Sequence, residues 1–245
     1  VLRDLLRLGL PMGMSYFVEV SSFTLIALLA AELGAAAVAG HRIVGNLAAL
    51  CYMLPLAVAM ATLAQVGLAA GAGDARRAKI SALAGGVLAA AASTLLGGLL
   101  WLAKGPVVEA YSNDPAVRAV ALAMIGYLAL CQLFDAVQTV AAFALRGYRV
   151  TFVPMLVHIA CFWGVVLFGG WWLAFRAPTP LGLAGFWIAA LAGLVVSALL
   201  LGSLLVGSLP GIWLGSHIST KVPDRILRPI LATMLVLVGA KLMAH

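Results

Sequence analysis

Apolar residues along this chain gather in long blocks. Six blocks, at about 8–31, 35–70, 80–103, 119–145, 150–175 and 181–206, are separated by short stretches carrying charge, Gly or Pro. Each reaches the roughly 20 helical residues needed to cross a hydrocarbon core of ~30 Å. A shorter seventh block, 226–244, follows a segment dense in Gly and Pro. The alternation over roughly ten residues that a membrane barrel strand requires is absent, and the abundance of Ala and Leu favours helix. Pro55 interrupts the second block and predicts a kink there, because it removes one backbone donor. The pattern predicts an all-α, polytopic transmembrane helical bundle of six spans plus a seventh short or re-entrant hydrophobic segment, with no repeat, linker or soluble domain.

Composition agrees with the blocks: 64% of the 245 residues are hydrophobic and 9% charged, and the mean hydropathy is +1.14. The bilayer is therefore the expected surrounding. Lys and Arg outnumber Asp and Glu by 15 to 8. They lie between apolar blocks and form no clustered patch, so nucleic acid is not an expected partner. Read by the excess of cations in cytoplasmic loops, a cytoplasmic amino terminus puts Arg3, Arg7, Arg76, Arg77, Lys79, Arg146 and Arg149 inside and Lys104, Arg118 and Arg176 outside. Localisation in the cell inner (plasma) membrane follows as an expectation. Cys51, Cys131 and Cys161 lie within apolar blocks and make neither a disulfide framework nor a zinc motif. Val1 in place of methionine, with a helical pattern from the first residues, predicts a chain drawn from a longer parent and no signal peptide.

Charges inside a span are costly, so each one is a candidate for function. Glu19 lies mid-span in the first block, with Ser15, Tyr16, Ser22 and Phe23 three or four residues away on the same face. Asp135 lies mid-span in the fourth, with Gln132, Gln138, Thr139 and Cys131 at helical spacing. A carboxyl group removed from water either exchanges a proton or captures a cation. Glu19 and Asp135 are therefore the candidate coupling-ion ligands, for Na+ or H+, and no other metal or cofactor is expected. A purely structural role, hydrogen bonding to a neighbouring helix, is the alternative.

The remaining polar residues read more plainly. His41-Arg42 near the start of the second block is read as snorkelling to the outer interface. Asn46, one turn later, lines the same cavity or bridges two helices. His158 is read as a helix-to-helix hydrogen bonder, and Trp163, Trp171, Trp172 and Trp187 as an interfacial belt. Met12, Met14, Tyr16, Phe17, Met53 and Phe143 fit either a lipophilic ligand or ordinary packing. No GxSxG, HExxH, P-loop or paired His motif is present, and a hydrolase built on Ser15 or Ser22 with His158 is disfavoured, so the chain is not expected to be an enzyme.

Leu8-Gly9-Leu10-Pro11 followed by Phe17-Val18-Glu19-Val20, then Ala39-Gly40-His41-Arg42-Ile43 and Tyr52-Met53-Leu54-Pro55, resembles the multidrug and toxic compound extrusion (MATE) family. So do Gly71-Ala72-Gly73-Asp74 before Arg76-Arg77-Ala78, and Asp135-Ala136-Val137-Gln138 before Ala144-Leu145-Arg146-Gly147-Tyr148. The likeness covers about residues 1–203 and implies helices seven to twelve of a twelve-helix exporter. It implies efflux of cationic, amphipathic compounds by Na+ or H+ antiport, with Glu19 and Asp135 at the positions of the carboxy-lobe cation site. Arg42 stands where many members carry Gln. The amino-terminal lobe has no counterpart here, and since such folds work by rocking one repeat against the other, a second transporter lobe or a homo-oligomer is the implied partner.

Residues 204–245 resemble a different family. Gly207-Ser208-Leu209-Pro210-Gly211, Val222-Pro223-Asp224-Arg225 and Leu237-Val238-Gly239-Ala240 are similar to the carboxy end of the sulfite exporter TauE/SafE family. That likeness implies a second reading, movement of sulfite or organosulfonate anions. A third is a non-transporting scaffold or chimeric remnant.

Overall fold

The computed structural model describes residues 2–219; the seventh block, 226–244, lies outside the described residues. Among the described residues there is no strand, and six helices are long and apolar enough to cross a membrane: Leu8–Leu33, Ala35–Gly71, Ala75–Leu102, Pro115–Gly147, Phe152–Arg176 and Leu183–Gly207. The elements are α1 (Leu2–Leu29) ending in a 3-10 turn (Ala30–Leu33), α2 (Ala35–Gly71), α3 (Ala75–Leu102), the short α4 (Lys104–Tyr111), α5 (Pro115–Gly147), α6 (Phe152–His158) and α7 (Leu183–Ser219).

Local chemistry starts the helices where the blocks begin. Asp74 caps α3 by accepting from the Arg77 amide at 2.9 Å, and Asp114 caps α5 by accepting from the Ala116 amide at 2.8 Å with Pro115 in the first turn. Gly73 takes φ +74° in the turn before α3, a conformation that a side chain disfavours. Beyond His158 the fifth span turns π-helical over Ile159–Gly169 and again over Trp172–Arg176, which periodicity did not foretell.

Helix α5 is the axis of the bundle, in contact with α2, α3, α4 and α7. Small residues allow this closeness, as in membrane helices generally. A Cβ on Gly97 would stand 2.7 Å from the Ala129 carbonyl oxygen, so α3 meets the α5 backbone directly. A Cβ on Gly185 would meet the Leu173–Ala174 backbone at 2.8 Å, so the start of α7 lies flush against the fifth span. Leu68, Val87 and Leu102, each at least 70% exposed, point away from the core, as a lipid-facing surface requires. Helix α1 leans on the fifth span and touches α2 only slightly. The space this leaves between α1, α2 and α5 is where the polar residues collect.

Candidate functional site

A cavity of about 700 Å³ opens between α1 and α2, with α5 and α7 behind it. Glu19 from α1 and Asp135 from α5 both line it, each half-buried. They lie within electrostatic reach of each other and of Tyr52 on α2. Among the described residues no side chain donates a hydrogen bond to Glu19, which leaves its carboxyl free for a cation or proton.

Asp135 is held. The buried amide of Gln138 donates to Asp135 Oδ1 at 3.0 Å and to Thr139 Oγ1 at 3.1 Å. Its oxygen accepts from Ser197 on α7 at 3.4 Å and lies 3.1 Å from His158 Nε2. A carboxylate accepts only, which sets the amide with its nitrogen toward Asp135; the amide oxygen then requires that Nε2 of His158 carry the proton. His158 thus joins the fifth span to α5, as a helix-to-helix bonder does. One amide ties three helices to one carboxyl.

The polar residues expected around the acids divide into three groups. Asn46 and Gln132 line the cavity. Gln138 and Thr139 sit behind Asp135, buried. Ser15 and Ser22 do not line it: their hydroxyls donate to Pro11 O at 3.0 Å and Val18 O at 2.7 Å on their own helix. Back-bonding of this kind satisfies a helical Ser without any partner. Tyr16 also faces elsewhere, its hydroxyl accepting from Arg146 Nη1 at 3.3 Å and its ring against the guanidinium at 5.0 Å.

Three sequence readings gain detail. Arg146, counted with the cytoplasmic cations, is buried, clamped between Tyr16 and Phe143 whose centroid is 4.5 Å from its guanidinium carbon. Stacking on aromatic faces is what allows a desolvated guanidinium there; the i, i+3 spacing of Phe143 and Arg146 was the available signal. His41 and Arg42 line the cavity, His41 buried and Arg42 exposed. Trp187 is buried and meets His41 edge to face at 5.8 Å, while the half-buried Trp163 donates to Ser21 Oγ at 3.0 Å. Phe23, expected on the Glu19 face, lines the cavity; so do Tyr52, which entered only through the resemblance, and Thr24, which was not singled out. The three cysteines are free and buried, and no group of three or more His, Cys, Asp or Glu able to hold a metal exists among the described residues.

The MatE family model matches residues 11–172. This chain belongs to the MatE family. A probable multidrug resistance protein NorM of Aromatoleum aromaticum is 58% identical over 208 residues, covering 83% of this chain and 45% of the relative. Multidrug resistance protein PmpM of Pseudomonas aeruginosa is 39% identical over 201 residues, 80% of this chain and 42% of its own length. This MatE chain therefore spans about half the length of the relatives it matches. A crystal structure of a MATE protein in the bent conformation shares the fold with a TM-score of 0.81 at 18% identity, over 88% of this chain and 47% of that one. A eukaryotic MATE transporter, AtDTX14, superposes with a TM-score of 0.78 at 20% identity, over 87% and 49%. Residues 177–242 match a second family model, sulfite exporter TauE/SafE; from 220 onward that match lies outside the described residues.

Proposed function

We propose that this chain is one lobe of a secondary active exporter that moves cationic or lipophilic drugs outward against Na+ or H+. The observation that carries the reading is the single cavity into which Glu19 and Asp135 both project from different helices. Two carboxyls without a salt-bridge partner among the described residues attract either a coupling ion or a cationic substrate. They do not hold both well, since each needs the same negative charge. That competition makes the exchange obligatory: the ion entering from one side displaces the drug, and the drug arriving from the other displaces the ion. Gln138 presents the Asp135 oxygen to the cavity, and Tyr52 offers an aromatic wall against which a desolvated cation rests.

The relatives named multidrug resistance proteins, twice as long as this chain, support the substrate class and a second lobe that completes the pore. Rocking of one lobe against the other provides alternating access in such folds. The partner is a separate half-transporter or a second copy of this chain, and the setting is the inner membrane with a cytoplasmic amino terminus. Residues 1–203 form the transporter lobe and 204–245 an appended segment in this reading. The test is efflux from proteoliposomes holding the chain with an amino-terminal lobe: transport driven by an imposed Na+ or H+ gradient is expected. Retention of full coupling after Glu19→Gln with Asp135→Asn overturns the proposal.

The match over 177–242 favours a second reading, transport of sulfite or organosulfonate anions. Truncation after Gly207 separates the two. The drug-export reading expects binding of a lipophilic cation to survive, and the anion reading expects all transport to vanish.

A further inference from the structure

Arg146 shares a stripe of α5 with Asp135 but lies outside the cavity. Asp135, Thr139, Phe143 and Arg146 follow at helical spacing, so they fall on one side of the helix. Asp135 lines the cavity; Arg146, ~16 Å further along α5, does not.

The guanidinium is buried between the rings of Tyr16 and Phe143. Among the described residues its hydrogen bond goes to the Tyr16 hydroxyl, and no carboxylate forms an ion pair with it. Tyr16 lies three residues before Glu19 on α1, so the clamp holds a full positive charge about one turn, ~5 Å along the helix, from the Glu19 carboxyl. At that range it acts on Glu19, and on His158, through space. Glu19 thus stands between two charges of opposite sign, Asp135 on the cavity side and Arg146 behind it. Charges held away from water are little screened by salt, so this influence persists at ordinary ionic strength.

From this placement we infer that Arg146 is a positioning residue for cation exchange: a tethered positive charge behind Glu19 that weakens the grip of the two carboxyls on any mobile cation and speeds its release. Two carboxyls in a desolvated cavity attract a cation strongly. An exporter has to let that cation go in every cycle, and a fixed guanidinium that never enters the cavity limits the hold without occupying the site. The Tyr16 hydroxyl is the restraint. It gives the guanidinium an acceptor on its own side and keeps it from closing on Glu19. The inference rests on the drug-cavity reading above and adds what limits affinity there.

The experiment is equilibrium binding and dissociation of radiolabelled tetraphenylphosphonium on the 245-residue chain in phosphatidylcholine nanodiscs, at about pH 9 so that protons compete least for the carboxyls. Arg146→Gln is expected to tighten binding about tenfold, mainly as slower dissociation, the scale of one charge roughly 10 Å away at an effective permittivity of ~20. Arg146→Lys keeps the charge and is expected to return most of the way to the parent. Tyr16→Phe keeps the ring and removes the acceptor, which turns the guanidinium toward Glu19, so binding is expected to weaken several-fold. Tyr16→Phe combined with Arg146→Gln is expected to bind as tightly as Arg146→Gln alone. Opposite effects from the two ends of one hydrogen bond distinguish this role from a structural clamp, whose loss weakens binding at either end. Unchanged or weaker binding in a folded Arg146→Gln variant overturns the inference alone. Should that variant fail to fold, Tyr16→Phe decides, and parental or tighter binding there overturns it equally. Absence of any tetraphenylphosphonium binding to the parent chain overturns it together with the drug-cavity reading.

Discussion

Neighbouring polar side chains in this bundle do very different work, and position along the helix does not reveal which. Ser15 and Ser22 are one turn from Glu19, yet their hydroxyls are spent on their own backbone. Ser15→Ala with Ser22→Ala is therefore expected to leave gradient-driven efflux within about twofold of the parent, since a back-bonded hydroxyl contributes little. Glu19→Gln is expected to abolish coupling in the same proteoliposome measurement. Gln138 behaves differently again. Gln138→Leu removes the donor to the half-buried Asp135 and the acceptor for the buried His158, whose loss of its partner costs about 1–3 kcal/mol. A fall in the midpoint of thermal unfolding in detergent is expected, along with weakened cation binding. Gln138→Glu keeps an acceptor for His158 but places a like charge beside Asp135, so it is expected to lose cation selectivity before stability.

Helices reach one another here through positions that lack a side chain. Gly97 allows α3 to rest on the Ala129 carbonyl. Gly97→Val is expected to push the two apart and cost about 1–3 kcal/mol, read as a lower thermal midpoint; Gly98→Val, with open space around its Cβ, is the matched control. Asp114 at the start of α5 is a smaller lever: Asp114→Ala is expected to cost about 1 kcal/mol by the same measurement. The six spans were legible from hydropathy, because hydrocarbon thickness sets the length of each apolar block. The π-helical course of the fifth span was not, since its apolar run has no polar stripe whose period would betray the wider turn.

At the level of the bundle, what matters is the slight contact between α1 and α2, which turns two polar faces into the walls of one cavity. The cavity is open on the side where α1 and α2 part, and the relatives are about twice as long as this chain. Supplying an amino-terminal lobe is therefore expected to raise efflux of a lipophilic cation from undetectable to gradient-dependent, with the chain alone retaining binding but no transport.

Local chemistry was enough to read the helices, their approximate limits and the presence of two carboxyls at mid-span, because block length, capping residues and the cost of intramembrane charge all act over a few residues of contiguous chain. Packing chose the rest. It set Arg42 along the cavity, buried Arg146 in an aromatic clamp, and made Gln138 the link between Asp135, His158 and Ser197. Those outcomes depend on the rotation and register of each helix against its neighbours. Contacts between residues 130 or more positions apart, such as Tyr16 with Arg146 and Ser21 with Trp163, set these, and no local pattern encodes them.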